Sequence, residues 1–573
     1  MKDATSTVSK VLILAFPVLF SFFFFLLPIF KIILLAFGIE LENNFFFTFS
    51  FFIDVATDSL IQYFLYWDIQ QALVTTGFCI MIGLPGSYIF AHYKFYGKSF
   101  LRNLLTVPFI LPPIVVLIGF MSVFGNESWI NQVWKGLTGS ILIDIFNSYE
   151  GIILAHIFYN IPVIIRLVEI GWKNIDPELI SVARSLKASK RQIFMKIQLP
   201  QLFPILAAAS LLVFIYAFNS FAIVLVLGGI NYQTLEVRIN ILAKSPILFD
   251  INRAAALTII QLFINLLVII TYLYFSNKYE VPISATAQKI EKKLISFPMT
   301  MKNTLRFFLV TIYFILVGMV CLLPLIGVFI YSFTSTDGSF TLSNYETILS
   351  RNISSYIEST PQNMISITII IGIGVMILAT ILAVLLNHGL NYETSYKGTP
   401  KLTLRQSLGG ILIILPLAVS SITLAFSLFS LYSLTPIYEN VTTAIIIAQT
   451  LVAFPFANRI VAATRATIDP TIINVAQSLG ASRFKTFIRI ELPLMLPGII
   501  VAGLFSFAIS IGEFGATYFL SRPNFATIPV GIYRIIIRMR VVRPAAALSA
   551  ILIIVTVISF MIIERFGKLE LRF

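Results

Sequence analysis

Long apolar stretches separated by short polar segments run along nearly the whole chain. Val11 to Phe30, Phe307 to Phe333 and Ala546 to Ile563 are examples, each near or above the roughly 20 residues that carry a helix across hydrocarbon. The stretches are too long and too uniformly apolar for the alternating strands of a barrel, and lipid requires every backbone N–H and C=O to be paired internally. The pattern therefore predicts an all-α polytopic membrane protein. Six spans are expected in a first half, near 11–37, 69–91, 104–124, 148–170, 203–229 and 256–275. Six more follow near 307–333, 363–387, 409–434, 441–460, 494–520 and 546–563, about 12 in all.

Composition agrees: 58% of the 573 residues are hydrophobic, 12% are charged and the mean hydropathy is +0.93, which excludes an ordinary soluble domain. Charge changes the picture by giving direction. The segment from Gly38 to Trp67 has no Lys or Arg but carries Glu40, Glu42, Asp54 and Asp58, whereas the next polar loop holds Lys94, Lys98 and Arg102. Basic loops stay in the cytoplasm, so the first loop is expected outside and the second inside. Lys173 to Leu199 and the connector from Asn277 to Asn303 are also Lys/Arg-rich and read as cytoplasmic, with both termini on that side. Arg534, Arg538, Arg540 and Arg543 oppose this scheme unless they sit on a re-entrant or interfacial segment. The net charge of +14 fits positive-inside topology and anionic lipid rather than nucleic acid.

The polar inventory is thin. Cys79 and Cys321 both fall inside expected spans, and His92, His156 and His388 are scattered, so they read as packing or interfacial residues rather than metal ligands. No Gly-rich phosphate loop ending in Lys-Ser/Thr is present, so the chain shows no ATP site and is not read as an enzyme.

An internal repeat is the most informative signal. DPELISVARSLKASKRQIFMKIQLPQLFP runs from Asp176 to Pro204, and DPTIINVAQSLGASRFKTFIRIELPLMLP from Asp469 to Pro497, at a constant offset of 293 residues. The same offset carries Pro162 and Arg166 onto Pro455 and Arg459. Duplication of a membrane domain explains it, with a first domain over 1–276, a connector over 277–303 and a second domain over 304–573. Within each copy, Asp176 or Asp469 can cap a helix that begins at Pro177 or Pro470. Leu179, Ala183, Leu186, Ile193 and Ile197 recur at helical steps, as do Ala476, Leu479, Phe487 and Ile490. Gly480 offers a place for the backbone to turn. Leu199-Pro200 and Leu492-Pro493 are expected to end the loop, because proline interrupts the helical ladder.

On these motifs the chain resembles the fused inner-membrane permeases of binding-protein-dependent ABC importers, the group serving thiamine and ferric iron, over essentially its full length. The resemblance rests on Ala183, Ser185, Leu186, Ala188, Leu199 and Pro200, and on Ala476, Ser478, Leu479, Gly480, Ala481, Leu492 and Pro493. It departs where Ser181-Val182 and Asn474-Val475 replace the family's Glu-Ala, and where Lys187 stands at the family's glycine. The resemblance implies that each loop is a coupling helix seated on an ATPase subunit. It also implies partners: two ATP-binding cassette subunits that bind ATP-Mg, an extracytoplasmic solute-binding protein, and no cofactor in the chain itself. A thiamine-like cation or ferric iron is the implied cargo, in a multi-pass protein of the inner or cytoplasmic membrane.

Asn219, Ser220 and Glu513 are the candidate gate or pathway residues, Asn219 and Ser220 standing near the position in the first half that Glu513 holds in the second. A carboxylate inside a span is costly and is usually paired or functional. Glu513 reads first as a structural partner of an Arg or of backbone donors at a helix break between Gly512 and Gly515, and second as a cation-facing gate. Arg166 and Arg459 read as snorkelling or ion-paired near the repeated loops. An ion-coupled secondary transporter of duplicated architecture is the alternative; it would need an ion pathway richer in carboxylates than Glu513 alone.

Overall fold

The computed structural model describes residues 14–39, 47–105, 111–125, 128–141, 145–277, 292–293, 301–335, 337–350, 359–390, 415–539 and 542–570. Most of the expected connector and the extreme termini lie outside these residues. Nine helices are long and apolar enough to cross a membrane among the described residues: Leu14–Ala36, Ser59–His92, Tyr149–Asn174, Lys190–Phe218, Ile251–Ser276, Phe307–Ser332, Pro361–Gly389, Val441–Ala466 and Phe484–Gly512. Three shorter apolar helices, Pro113–Phe124, Ser421–Tyr432 and Arg543–Ser559, fall where the remaining three spans are expected. The only sheet among the described residues is a two-residue parallel pairing of Tyr93–Lys94 with Lys292–Lys293, which ties the connector to the first basic loop.

Three features differ from expectation. The second span starts at Ser59 rather than near 69, because the Asp58 carboxylate accepts the N–H groups of Leu60 and Ile61 (2.9 and 3.3 Å) and so caps the helix nearly three turns earlier. The fifth span of each half is not one rod. It stops at Phe218 or Gly512 and restarts as Ala222–Leu227 or Gly515–Leu520. Leu199-Pro200 and Leu492-Pro493 do not end a helix. They lie in helices that continue, because the preceding turn widens to a π-turn, Phe194–Gln198 or Phe487–Glu491, whose next N–H reaches five residues back. The wider turn makes room for a ring that would otherwise clash with the carbonyl four residues earlier.

The halves interlock. The first span, 14–36, packs against 251–277 of its own half and 421–432 of the other, while 301–332 packs against 113–124 of the first half. At the second contact a Cβ on Gly119 would lie 2.3 Å from the Pro324 carbonyl oxygen, so only glycine allows that approach. One apolar core, including Ile114, Phe218, Phe426 and Phe519, runs across both halves.

Candidate functional site

The repeated loops fold alike. Asp176 accepts the Glu178 N–H and Asp469 the Thr471 N–H, each at 2.8 Å, to cap the helices Pro177–Ser185 and Pro470–Ser478. These bonds to the charged form hold the exposed Asp469 carboxyl below the usual carboxylate range. Each helix ends in a left-handed residue, Lys187 at φ 58° and Gly480 at φ 89°. The Ala188 N–H then reaches the Ala183 carbonyl at 3.0 Å, and the Ala481 N–H the Ala476 carbonyl at 3.1 Å. This is a Schellman-type ending in both copies. Ser185 and Ser478 donate back to the carbonyls of Ser181 and Asn474. Ser189 and Gln192 close a capping box for the next helix.

The expected apolar stripe does not bury as a unit. Ala183 and Ile193 are buried, as are Ile473 and Phe487, but Leu179, Val182, Ile472 and Val475 are exposed and Leu186 and Leu479 are 77% and 84% exposed. A leucine beside a turn that points away from its own chain presents an apolar knob, and each loop has one. Ala476, Ala188 and Ala481 are half-buried. Behind the first loop Glu169 pairs with Arg102 (2.5 Å) and Lys173 (2.7 Å). Behind the second, Glu491, in the turn before Leu492-Pro493, pairs with Arg465 at 3.0 Å and lies 3.9 Å from His388 Nδ1. Arg166 donates to the Arg102 carbonyl at 3.2 Å, and Arg459 is exposed near Tyr216.

A cavity of about 380 Å³ lies between the halves where the two broken spans meet. Asn219, Ser220 and Glu513 all line it, together with Glu236 and His156. Phe221 and Phe514, which follow the two breaks at the repeat offset, stack across it with centroids 5.8 Å apart. The Glu513 carboxylate accepts the N–H groups of Ala516 (2.8 Å) and Thr517 (3.0 Å) and the Thr517 hydroxyl (2.8 Å). Backbone donors at the break are thus among the groups its oxygens meet. Asn219 plays the bracing role in the first half, its Oδ1 accepting from Gln261 Nε2 and Asn265 Nδ2, both at 3.0 Å.

Two acidic residues of this region escaped the sequence reading. Asp68, fully buried, accepts the Leu235 N–H at 2.9 Å and so anchors the helix Leu235–Lys244. That helix carries Glu236, 1% exposed, into the cavity wall. The helix lies between the expected spans 203–229 and 256–275, and its partner at the repeat offset, Ile528–Arg534, has Pro529 where Glu236 stands. No repeat marked the residue.

A model of the family "Binding-protein-dependent transport system inner membrane component" matches residues 83–281 and again 403–568, together more than half of the chain. The chain belongs to that family. Similar proteins include Probable ABC transporter permease protein y4fN of Sinorhizobium fredii, 23% identical over 481 residues that cover 81% of this chain and 80% of that one. Thiamine transport system permease protein ThiP of Haemophilus influenzae is 25% identical over 89% of both chains, and that of Escherichia coli K12 is 25% identical over 82% of this chain and 83% of its own. The chain is thus a multi-pass inner-membrane permease with two copies of the family's domain. Of the opposing arginines of this permease, Arg534 and Arg538 lie in the helical run 528–539 and Arg543 begins the helix Arg543–Glu570. Arg534 donates to the carbonyls of Pro523, Arg522 and Phe525, and Arg543 lies over the Tyr331 ring at 5.3 Å. Arg540 lies outside the described residues.

Proposed function

We propose that this permease forms the translocation pathway of an ATP-driven importer for a thiamine-like organic cation. Two separate ATPase subunits, which bind ATP-Mg, dock on the repeated loops, and an extracytoplasmic solute-binding protein delivers the cargo from the other side. The cavity carries this reading. It sits where both broken spans meet and combines buried carboxylates with aromatic walls, a lining suited to a flat cation. Ferric iron is less well served: among the described residues no three His, Cys, Asp or Glu side chains converge as a metal-binding group.

Leu186 and Leu479 are the docking knobs, with Ala183, Ser185 and Ala188, and Ala476, Ser478, Gly480 and Ala481, shaping the turns beneath them. Leu199-Pro200 and Leu492-Pro493 pass movement of each loop into the broken span that reaches the cavity. The domains 1–276 and 304–573 each supply one loop, and both termini share their cytoplasmic side. ATP binding favours one arrangement of the ATPase pair and so shifts the permease between inward and outward access, parting Phe221 from Phe514. Reconstitution with ATPase and receptor tests this. Thiamine should accumulate only with ATP and all partners present, and Leu479→Asp should lose the ATPase on co-purification. Uptake by the permease alone, without ATP, would refute the assignment.

A further inference from the structure

We infer that the cavity is a monocation site in which Glu236 supplies the counter-charge and His156 the hydrogen-bonding edge, while Glu513 is a structural cap. The inference rests on the cargo class proposed above and assigns roles within it. Of the two carboxylates lining the cavity, Glu513 has both oxygens filled by Ala516 and Thr517 at 2.8–3.0 Å, an arrangement that holds the restarted helix in place. Glu236 accepts one amide N–H from Gln261 at 3.2 Å and a hydrogen bond from Ser420. No basic side chain among the described residues pairs with it. A carboxylate 1% exposed and without a cation is expensive at membrane depth, and a cationic ligand entering the cavity would relieve that cost.

His156 is a second, independent sign of a ligand. It is 1% exposed, it lines the same cavity, and neither of its ring nitrogens has a hydrogen-bond partner among the described residues. A neutral imidazole offers one donor and one acceptor, and buried polar groups are rarely left unpaired without a reason. Tyr159, Tyr216 and Phe514 add aromatic walls. The cavity volume of about 380 Å³ lies at the lower end of the roughly 300–1,000 Å³ typical of small-molecule sites. A small, flat, singly charged heteroaromatic with a hydrogen-bonding edge satisfies all of these at once.

The test uses the full permease–ATPase complex in lipid nanodiscs and three probes: thiamine, its neutral oxidised derivative thiochrome, and oxythiamine, in which the ring amino group is replaced by oxygen. Glu236→Gln should weaken thiamine binding at least about tenfold, since an unmatched charge a few ångströms away in a partly buried site is worth more than a decade of affinity. Thiochrome binding should change far less, and Glu236→Asp should recover most of the thiamine affinity. His156→Phe should narrow the difference between thiamine and oxythiamine. Thermal melting of each complex reports folding separately. Thiamine bound by Glu236→Gln within about twofold of wild type, or thiamine and thiochrome weakened alike, would overturn the inference. A wild-type complex that neither binds nor transports thiamine would instead overturn the cargo reading.

Discussion

The two halves of this permease share backbone geometry while solving the same local problems with different side chains. At the broken span the first half uses a neutral network, Asn219 with Gln261 and Asn265, and the second uses the charged cap of Glu513 on Ala516 and Thr517. The next helix along, Leu235–Lys244 or Ile528–Arg534, is anchored by the Asp68 carboxylate on Leu235 in the first half, and by the Thr368 hydroxyl on Ile528 (2.9 Å) in the second. Duplication has kept the places where the chain must turn, break or cap, because those are fixed by backbone hydrogen bonding. It has left free which polar group does the work. A pathway between two such halves is asymmetric in charge although the scaffold is nearly symmetric.

The ion pairs behind the repeated loops offer the largest contrast. Arg465 and Glu491 have side chains only 12% and 6% exposed, whereas the first-half partners of Glu169, Arg102 and Lys173, are 30% and 40% exposed. Removing Arg465 leaves buried Glu491 facing His388, whose Nδ1 is 3.9 Å away, in place of a guanidinium at 3.0 Å, so Arg465→Ala should cost about 3 kcal/mol. Arg102→Ala leaves Glu169 with Lys173 and should cost about 1 kcal/mol or less. Thermal melting of the two purified variants checks this. Equal losses would mean that the loops are backed with equal strength, contrary to their burial.

At the helix breaks the expected effect is smaller but better localised. Glu513→Ala leaves the Ala516 and Thr517 N–H groups and the Thr517 hydroxyl short of an acceptor, a loss of about 2–3 kcal/mol, and thiamine uptake should fall with it. Ser220→Ala should cost under about 1 kcal/mol, because the bond that crosses the first break, from the Thr234 hydroxyl at 2.9 Å, ends on the Ser220 backbone carbonyl and survives the change. Melting and uptake measured side by side would break the comparison if the two variants behaved alike.

These contrasts mark how far the sequence could be read. The spans were legible because their apolar runs match the bilayer, and the loops because Asp-Pro, Ala-Ser and Leu-Pro recur at one offset. The break at Glu513 was legible in the flanking Gly512 and Gly515, whereas Asn219 and Ser220 stood out only as polar residues inside an expected span over 203–229. Glu236 and Asp68 were not: each has other polar residues within three positions, Gln233, Thr234 and Arg238 for the first and Gln70 and Gln71 for the second, and is buried only because the helices bring 59–92, 235–244 and 251–277 together. The continuation through Pro200 and Pro493 was also hidden, since local rules make proline a stop and only the π-turn before it shows the accommodation. The outward direction of Leu186 and Leu479 was hidden for a similar reason. Helical spacing gives a face but does not say whether the chain or a partner covers it.

The smallest effect separates backbone from surface in the repeated turn itself. Among the described residues no atom lies within 4 Å of a Cβ added to Gly480 at φ 89°, and Lys187 already occupies the same turn at φ 58°. Space is therefore not what favours glycine here; conformation is. Left-handed backbone costs an ordinary residue about 1–2 kcal/mol, more for a β-branched one and less for asparagine. Lys187→Gly relieves that strain but loosens the unfolded chain, so the net gain should be about 0.5 kcal/mol or less. Gly480→Asn should stay close to wild type, while Gly480→Val should lose about 1–2 kcal/mol of local stability and several-fold in solute-stimulated ATP hydrolysis. Hydrogen exchange at the Ala188 and Ala481 amides, which close the two turns, reads local stability directly, and ATP turnover in reconstituted membranes reads coupling. If Gly480→Asn impairs turnover as much as Gly480→Val while its amide exchange stays slow, the position acts through contact with the ATPase. The glycine would then mark a docking surface that Lys187 has replaced in the first half, and the two loops would differ in what they touch rather than in how they turn.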